Sequence, residues 1–528
     1  MHRRDFMRVM GGGLAAAALG PKAFAAASKS PKRPNFLIIL ADDMGFSDLG
    51  CYGSEIATPN LDGLAHNGVR FTHFYSAARC CPSRASLLTG LYPHQAGMGG
   101  MVSRGDVSKR EGPYQGFLNQ SCVTIAEVLK EAGYRTYMSG KWHVGDRPEH
   151  WPLKRGFDRY YGLISGASSY WGIREEERDK RAFALNDTRI LPEGEDFYMT
   201  DAFSDYAVKW LEEHEGREEP FLLYLAYNAP HWPLHAWPED IAKYKGKYLK
   251  GWDQLRQERY ERLVNMGIID PKWKLSPRDP DVPPWEEAED KEDWDLRMAV
   301  YAAMIDRMDQ GIGRVLQTLR RIGAKENTIV MFLSDNGGCH ESVEGRKLDK
   351  PGTQPGEPGS FVAYRRPWAN VGNTPFRLFK HWVHEGGIAT PFIVRWPAGL
   401  TRKNELEHQV GHINDIMATC VDLAKATYPQ TFNGHTIKPY EGKSLAPIFR
   451  GERREPHERL YWEHMGNRAI VEGDWKLVAT TSSDWELYNL VEDRTELNDL
   501  SEAMPERAKA LFDAWETWAD RVGARKPA

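Results

Sequence analysis

Short apolar or β-branched runs recur along the chain, separated by stretches whose apolar residues fall at helical spacing. This alternation predicts a mostly parallel α/β sheet. The runs at residues 35–40 (NFLIIL), 134–138, 221–227 and 328–333 share one property, because each gives way at once to a polar cluster. The clusters are Ala41-Asp42-Asp43, Gly140-Lys141-Trp142-His143, Asn228-Ala229-Pro230-His231 and Ser334-Asp335-Asn336-Gly337-Gly338. Open α/β sheets bind ligands outside the carboxyl ends of their strands, so four separate segments are expected to converge on one edge.

The remaining pattern divides the chain further. Residues 237–295, rich in charge, Trp and Pro, read as an inserted and partly helical excursion. Met298, Ala302, Ile305, Met308, Ile312 and Leu316 then mark a helix from about 296 to 321, with its apolar stripe in the core. Residues 337–372 are Gly/Pro-rich without periodicity, and loops of that length inside a domain often act as lids. Beyond 440–455 come four short strands (459–464, 469–471, 476–479 and 485–490) and an amphipathic helix carrying Ala508, Leu511, Phe512, Trp515, Trp518 and Val522 on one face. They predict a small antiparallel sheet packed beside a C-terminal helix.

Composition adds limits. With 528 residues, 41% hydrophobic and 27% charged, the chain has room for a large core and describes an ordinary globular protein. A net charge of −5 gives no argument for nucleic acid or a membrane surface as partner. Six cysteines in so long a chain make no disulfide framework; Cys51, Cys122, Cys339 and Cys420 are expected as buried small apolar residues. At the N-terminus, Arg3-Arg4-Asp5-Phe6-Met7 precedes a weakly apolar stretch, then Lys22 and Ala23-Phe24-Ala25. Residues 1–27 are therefore expected to be a twin-arginine-type signal peptide, and the mature protein periplasmic or secreted. The apolar stretch is too short and too Gly/Ala-rich for stable membrane insertion.

The densest chemistry lies in Cys80-Cys81-Pro82-Ser83-Arg84-Ala85-Ser86-Leu87-Leu88-Thr89-Gly90. Pro82 suits the first position of a helix and Gly90 its end, which would set Cys80 just outside a helix N-terminus, a place that favours anions. Arg84, one turn in, offers a planar guanidinium to oxyanions.

This stretch resembles the modification signature of the type I, formylglycine-dependent sulfatases, closest in appearance to the bacterial arylsulfatases. The resemblance extends over nearly the whole mature chain. It implies an alkaline-phosphatase-like αβα sandwich over residues 28–445, with a C-terminal subdomain at 446–528. It implies that Cys80 is the precursor of formylglycine, made by a formylglycine-generating or anaerobic sulfatase-maturating enzyme, while Cys81 fills the variable position. Asp42, Asp43, Asp335 and Asn336, with the modified Cys80, would hold one divalent cation. Their hard oxygen donors favour calcium, or magnesium, over zinc.

Arg84, Lys141 and Lys380 would neutralise the sulfate oxygens. Asp335 would act as base toward the formylglycine hydrate, and His231 with Lys380 as acid toward the leaving oxygen. His143 would take the proton that lets sulfate depart. The implied substrate is an aryl sulfate or a sulfated sugar, with Tyr170, Trp171, Arg174 and the 337–372 loop as candidate contacts. His73, His94, His235 and His340 receive no catalytic role, and His94 is expected to be structural. Two other readings stay open: a phosphomonoester or phosphonate monoester hydrolase of the same superfamily, and a catalytically silent glycan-binding relative.

Overall fold

The computed structural model describes residues 33–103, 110–192, 194, 196–344 and 348–525, so the expected signal peptide at 1–27 lies outside the described residues. One ten-stranded sheet contains β1 (Asn35–Ala41), β2 (Val69–Phe71), β3 (Arg135–Gly140), β4 (Arg159–Leu163), β5 (Phe183–Leu185), β6 (Thr188–Ile190), β7 (Phe221–Ala226), β8 (Thr328–Ser334), β9 (Phe392–Arg395) and β10 (Glu405–Glu407). Their order is β10-β2-β9-β8-β1-β7-β3-β4-β5-β6. The five central strands β8, β1, β7, β3 and β4 are parallel. Antiparallel pairings appear toward both edges, at β9 and at the β4-β5-β6 meander.

Both faces of this sheet are covered, which is why its central strands carry near-continuous apolar runs. Alternate residues of β1 feed two cores. Leu37 and Ile39 meet Met298, Ile305, Met308 and Ile312 of helix Lys291–Arg321 on one face. Phe36, Ile38 and Leu40 meet Leu87 and Leu88 of helix Cys80–Thr89 and Ile416 of helix Asp415–Ala424 on the other. The long helix starts earlier than its apolar stripe indicates, because its first turn is polar; Glu292 and Asp293 there favour the positive end of the helix dipole.

The excursion at 237–295 contains helices Pro238–Ala242 and Trp252–Asn265. The 337–372 region is largely loop but ends in helix Arg365–Gly372, an element that its Gly/Pro-rich sequence did not announce. At the C-terminal end, β11 (Leu460–His464), β12 (Asn467–Glu472), β13 (Trp475–Ala479) and β14 (Glu486–Asn489) form an antiparallel meander. Helix Pro505–Val522 lays Leu511, Trp515, Trp518 and Val522 against Ile470, Leu477 and Leu487 of that sheet. No helix among the described residues is long and apolar enough to cross a membrane.

Candidate active site

Strand register decides where the polar clusters meet. Ala41 pairs with Ser334, Leu40 with Ala226, and Gly140 with Ala226, so β1, β8, β7 and β3 end at one level. The next residues of each strand therefore emerge side by side at the carboxyl edge. Helix Cys80–Thr89 points its start at the same place. Cys80 is the first helical residue, not a residue outside the helix, and Pro82 sits third. A proline is tolerated there because N–H groups of the first turn have no intrahelical acceptor. Gly90 closes the helix at φ 71°.

The structure brings all ten expected site residues together. Asp42, Asp43, Cys80, Arg84, Lys141, His143, His231, Asp335, Asn336 and Lys380 are each at most 6% exposed. Arg84 Nη2 donates to Asp42 Oδ2 (3.2 Å) and Asp335 Oδ2 (3.0 Å), and its Nη1 donates to the Lys141 carbonyl (2.9 Å). Lys141 Nζ is paired with Asp42. Lys380 Nζ lies 2.7 Å from Asp43 Oδ1, which also accepts from Asn336 Nδ2 at 2.8 Å. His231 Nε2 faces Asp43 Oδ2 at 3.4 Å, while its Nδ1 donates to the Trp232 carbonyl (2.6 Å), which fixes the tautomer. Three carboxylates thus face three cationic side chains in a buried cluster.

His143 stands in a left-handed backbone conformation at φ 54°, a strained choice for a non-glycine residue. Its ring is packed so closely on Gly166 that a Cβ there would lie 2.4 Å from Nε2. Cys81 Sγ lies 3.3 Å from the same Nε2, so the thiol beside Cys80 also enters the site, a neighbour that the variable position of the motif does not reveal. Cys80, Cys81 and His143 form one compact trio, and Asp42, Asp43 and His231 another. All six cysteines are free and buried.

The electrostatics follow from burial and crowding. Burial, then the negative charge of Asp42, pushes the Asp335 carboxyl well above the usual range despite Arg84. Hydrogen bonding from Cys81, helped by His143 and Lys141, holds the Cys80 thiol well below its usual value against the effect of burial. Burial lowers His143, and burial together with the Lys380 charge lowers His231 to about 3. Burial works against a charged Lys380, yet the Asp43 carboxylate overrides it and holds the ammonium well above its ordinary value.

Two buried oxygens in this cluster, Asp42 Oδ1 and Asn336 Oδ1, have no hydrogen-bond partner in the protein. Leaving such atoms bare costs about 1–3 kcal/mol each, more for a carboxylate. Hard oxygen donors among crowded, buried carboxylates fit a hard divalent cation.

Three of the suggested substrate contacts have other tasks. Tyr170 is fully buried and its hydroxyl donates to the Asn228 and His231 carbonyls. Trp171 Nε1 donates to the Gly356 carbonyl, and the Arg174 guanidinium donates to the carbonyls of Leu348, Pro358 and Ser360. Trp171 and Arg174 thus pin the 337–372 loop, while Tyr170 holds the backbone that carries His231. His94 is structural as expected, bonded to Glu463 Oε2 at 2.7 Å, and His235 bonds the Ser360 carbonyl at 2.9 Å.

A covered, mostly parallel sheet with buried carboxylates and cationic groups at its carboxyl edge is an arrangement suited to a hard cation beside an oxyanion. The comparisons name the kind. The Sulfatase family model matches residues 34–426, and a model for the C-terminal part of N-sulphoglucosamine sulphohydrolase matches residues 376–513. The chain is 34% identical to an uncharacterized sulfatase of Schizosaccharomyces pombe, over 93% of this chain and 94% of that protein. It is 35% identical to the arylsulfatase of Klebsiella aerogenes, over 80% of this chain and 94% of that enzyme. The crystal structure of Ps i-CgsB in complex with k-i-k-neocarrahexaose has a TM-score of 0.68 at 26% identity, over 92% of this chain and 93% of that one. The chain belongs to the sulfatase family, with its alkaline-phosphatase-like fold, and hydrolyses sulfate esters.

Proposed function

We propose that hydrolysis runs through a formylglycine formed from Cys80, beside one divalent cation held by Asp42, Asp43, Asp335, Asn336 and the modified residue 80, with calcium ahead of magnesium. The observation that carries this reading is the pair of unpartnered buried oxygens on Asp42 and Asn336, set among carboxylates at the start of the Cys80 helix. The family generally uses a metal and formylglycine. When present, the cation supplies a hard Lewis acid to the sulfate oxygens and the aldehyde hydrate supplies the nucleophilic hydroxyl.

The protein's own groups do the rest. Arg84 spans Asp42 and Asp335 with one rigid fork, so both carboxylates are fixed before substrate enters. Lys141 and Lys380 bring positive charge to Asp42 and Asp43 and meet the ester's oxygens. In the free protein the proton of the His231–Lys380 pair resides on Lys380, since burial keeps His231 neutral and Asp43 keeps Lys380 charged. Lys380, which holds that proton, would supply it toward the departing oxygen, with His231 Nε2, opposite its carbonyl-bound Nδ1, as the ring atom turned toward the same Asp43. His143, on the far side next to residue 80, accepts the proton that allows sulfate to leave, and Asp335 takes the first one.

Substrates are aryl sulfates or sulfated sugars. Residues 1–27 direct export by the twin-arginine route, a maturation enzyme acts on Cys80, and residues 28–445 and 446–528 form the catalytic and accessory parts. Peptide mass spectrometry of active protein made beside a maturation enzyme should show residue 80 as formylglycine. Full activity with an unmodified Cys80 thiol would refute the mechanism.

A further inference from the structure

Three of the buried catalytic residues, Cys80, His231 and Lys380, have a half-exposed neighbour in sequence, and these neighbours gather. Arg79 precedes Cys80, Trp232 follows His231, His381 and Trp382 follow Lys380, and His340-Glu341 close the loop after Asp335-Asn336. Glu341 joins them: its Oε1 lies 2.7 Å from Arg79 Nη2, and its Oε2 accepts from Trp232 Nε1 at 2.9 Å. The His340 ring lies against Trp382 with centroids 4.5 Å apart. His381 is held at φ 91°, its N–H donating to the Ala78 carbonyl at 2.8 Å. Strain of this kind in a non-glycine residue persists only where the surroundings enforce it.

Behind this rim, β11 of the C-terminal sheet delivers His464, fully buried, its ring 5.4 Å from that of His381. Neither His464 nitrogen has a partner in the protein, and the same holds for Arg79 Nε and His340 Nδ1.

Resting on the catalytic reading above, we infer that this rim is the leaving-group subsite and that it is built for a sugar ring, with Arg79 and Glu341 as its specificity-determining pair. Trp232 and His381 adjoin His231 and Lys380, the groups assigned to the departing oxygen. The rim's chemistry is amphoteric. A guanidinium donates, a carboxylate accepts, and neutral imidazoles do both, which matches ring hydroxyls that are donor and acceptor at once. Trp382 and His340 supply the flat wall. An aryl leaving group would cover the same rim while offering these groups no hydrogen-bond partner in place of the water it displaces. A site that hydrogen-bonds its substrate discriminates strongly against an analogue lacking those groups.

The test compares kcat/KM for 4-nitrophenyl sulfate with kcat/KM for a panel of monosaccharides sulfated at O2, O3, O4 or O6. Wild type, Glu341→Gln and Arg79→Lys are used as folded protein, with rates expressed per formylglycine counted by mass spectrometry. Wild type should favour at least one sugar sulfate over the aryl sulfate. Both variants should lower the sugar-to-aryl ratio by roughly tenfold or more, the loss expected of one removed hydrogen bond to charge. Equal losses on both substrates would overturn the inference, leaving Arg79 and Glu341 as supports of the catalytic floor. Turnover of the aryl sulfate with none of the sugars cleaved would overturn it too, while the catalytic reading stood. Modified protein that cleaves neither substrate would remove the catalytic reading and the inference with it.

Discussion

Replacing Lys476 by Met should destabilise the protein by about 3–5 kcal/mol, the cost of breaking a buried ion pair from one side. Lys476, Glu385, Arg494 and Glu496 are all fully buried. Lys476 Nζ lies 2.9 Å from Glu385 Oε1 and 2.8 Å from Glu496 Oε1. Arg494 Nε donates to Glu385 Oε2 at 2.9 Å, its Nη1 donates to the Thr72 carbonyl at 2.6 Å, and the Glu385 N–H donates to Glu496 Oε2 at 3.0 Å. Two acids balance two bases, and the cluster ties the C-terminal sheet to the loop that carries Lys380. Methionine keeps much of the length and none of the charge, so Glu496 loses its buried counter-ion and Glu385 keeps only Arg494. Unfolding entropy near 2.1 cal/mol/K per residue gives about 1.1 kcal/mol/K for a chain of 528 residues, and hence a melting shift of about 3–5 °C. Calorimetry at one scan rate measures it. Lys476→Met with Glu496→Gln should recover more than half, because the orphaned charge is gone. A shift below about 1 °C, or a double variant as unstable as the single one, would refute the claim that charge balance holds this junction.

Further outcomes are expected at the site itself. Cys80→Ala should abolish turnover while melting near wild type, and Cys81→Ala should retain substantial activity; the reverse pattern would move the modified residue to Cys81. Chelation should reduce activity and calcium or magnesium restore it, whereas restoration by zinc alone would contradict the oxygen-donor set. His235, fully buried, is held at about 3 chiefly by burial, so it stays neutral in the folded protein while the unfolded chain binds a proton below about 6.5. Its stabilisation is present above that value and is lost as pH falls through the window toward 3, about 2 kcal/mol of it between pH 7 and 5. His235→Gln should therefore flatten the fall of stability over that interval in urea titrations, and an unchanged slope would count against it.

The parts legible in the sequence are those whose cause is local. β1, β7 and β8 carry nearly uninterrupted apolar runs because both faces are covered, and the polar residues that end them mark the edge where Asp42, His231 and Asp335 meet. β2, β5, β6, β9 and β10 were not legible. Three or four residues such as Val69-Arg70-Phe71 or Glu405-Leu406-Glu407 become strands only because a longer neighbour offers them a ladder. Tyr170, Trp171 and Arg174 look like ligand groups by type, yet which carbonyl an Arg reaches is fixed by packing far along the chain. The same limit hides the rim. Arg79 and Glu341 are 262 residues apart, and His464 arrives from another sheet. Motif residues were therefore readable because the reaction restricts their types, whereas the groups beside them carry no such restriction and acquire meaning only once folding makes them neighbours. Selectivity of this enzyme should then change with Arg79 or Glu341 while the motif itself stays intact.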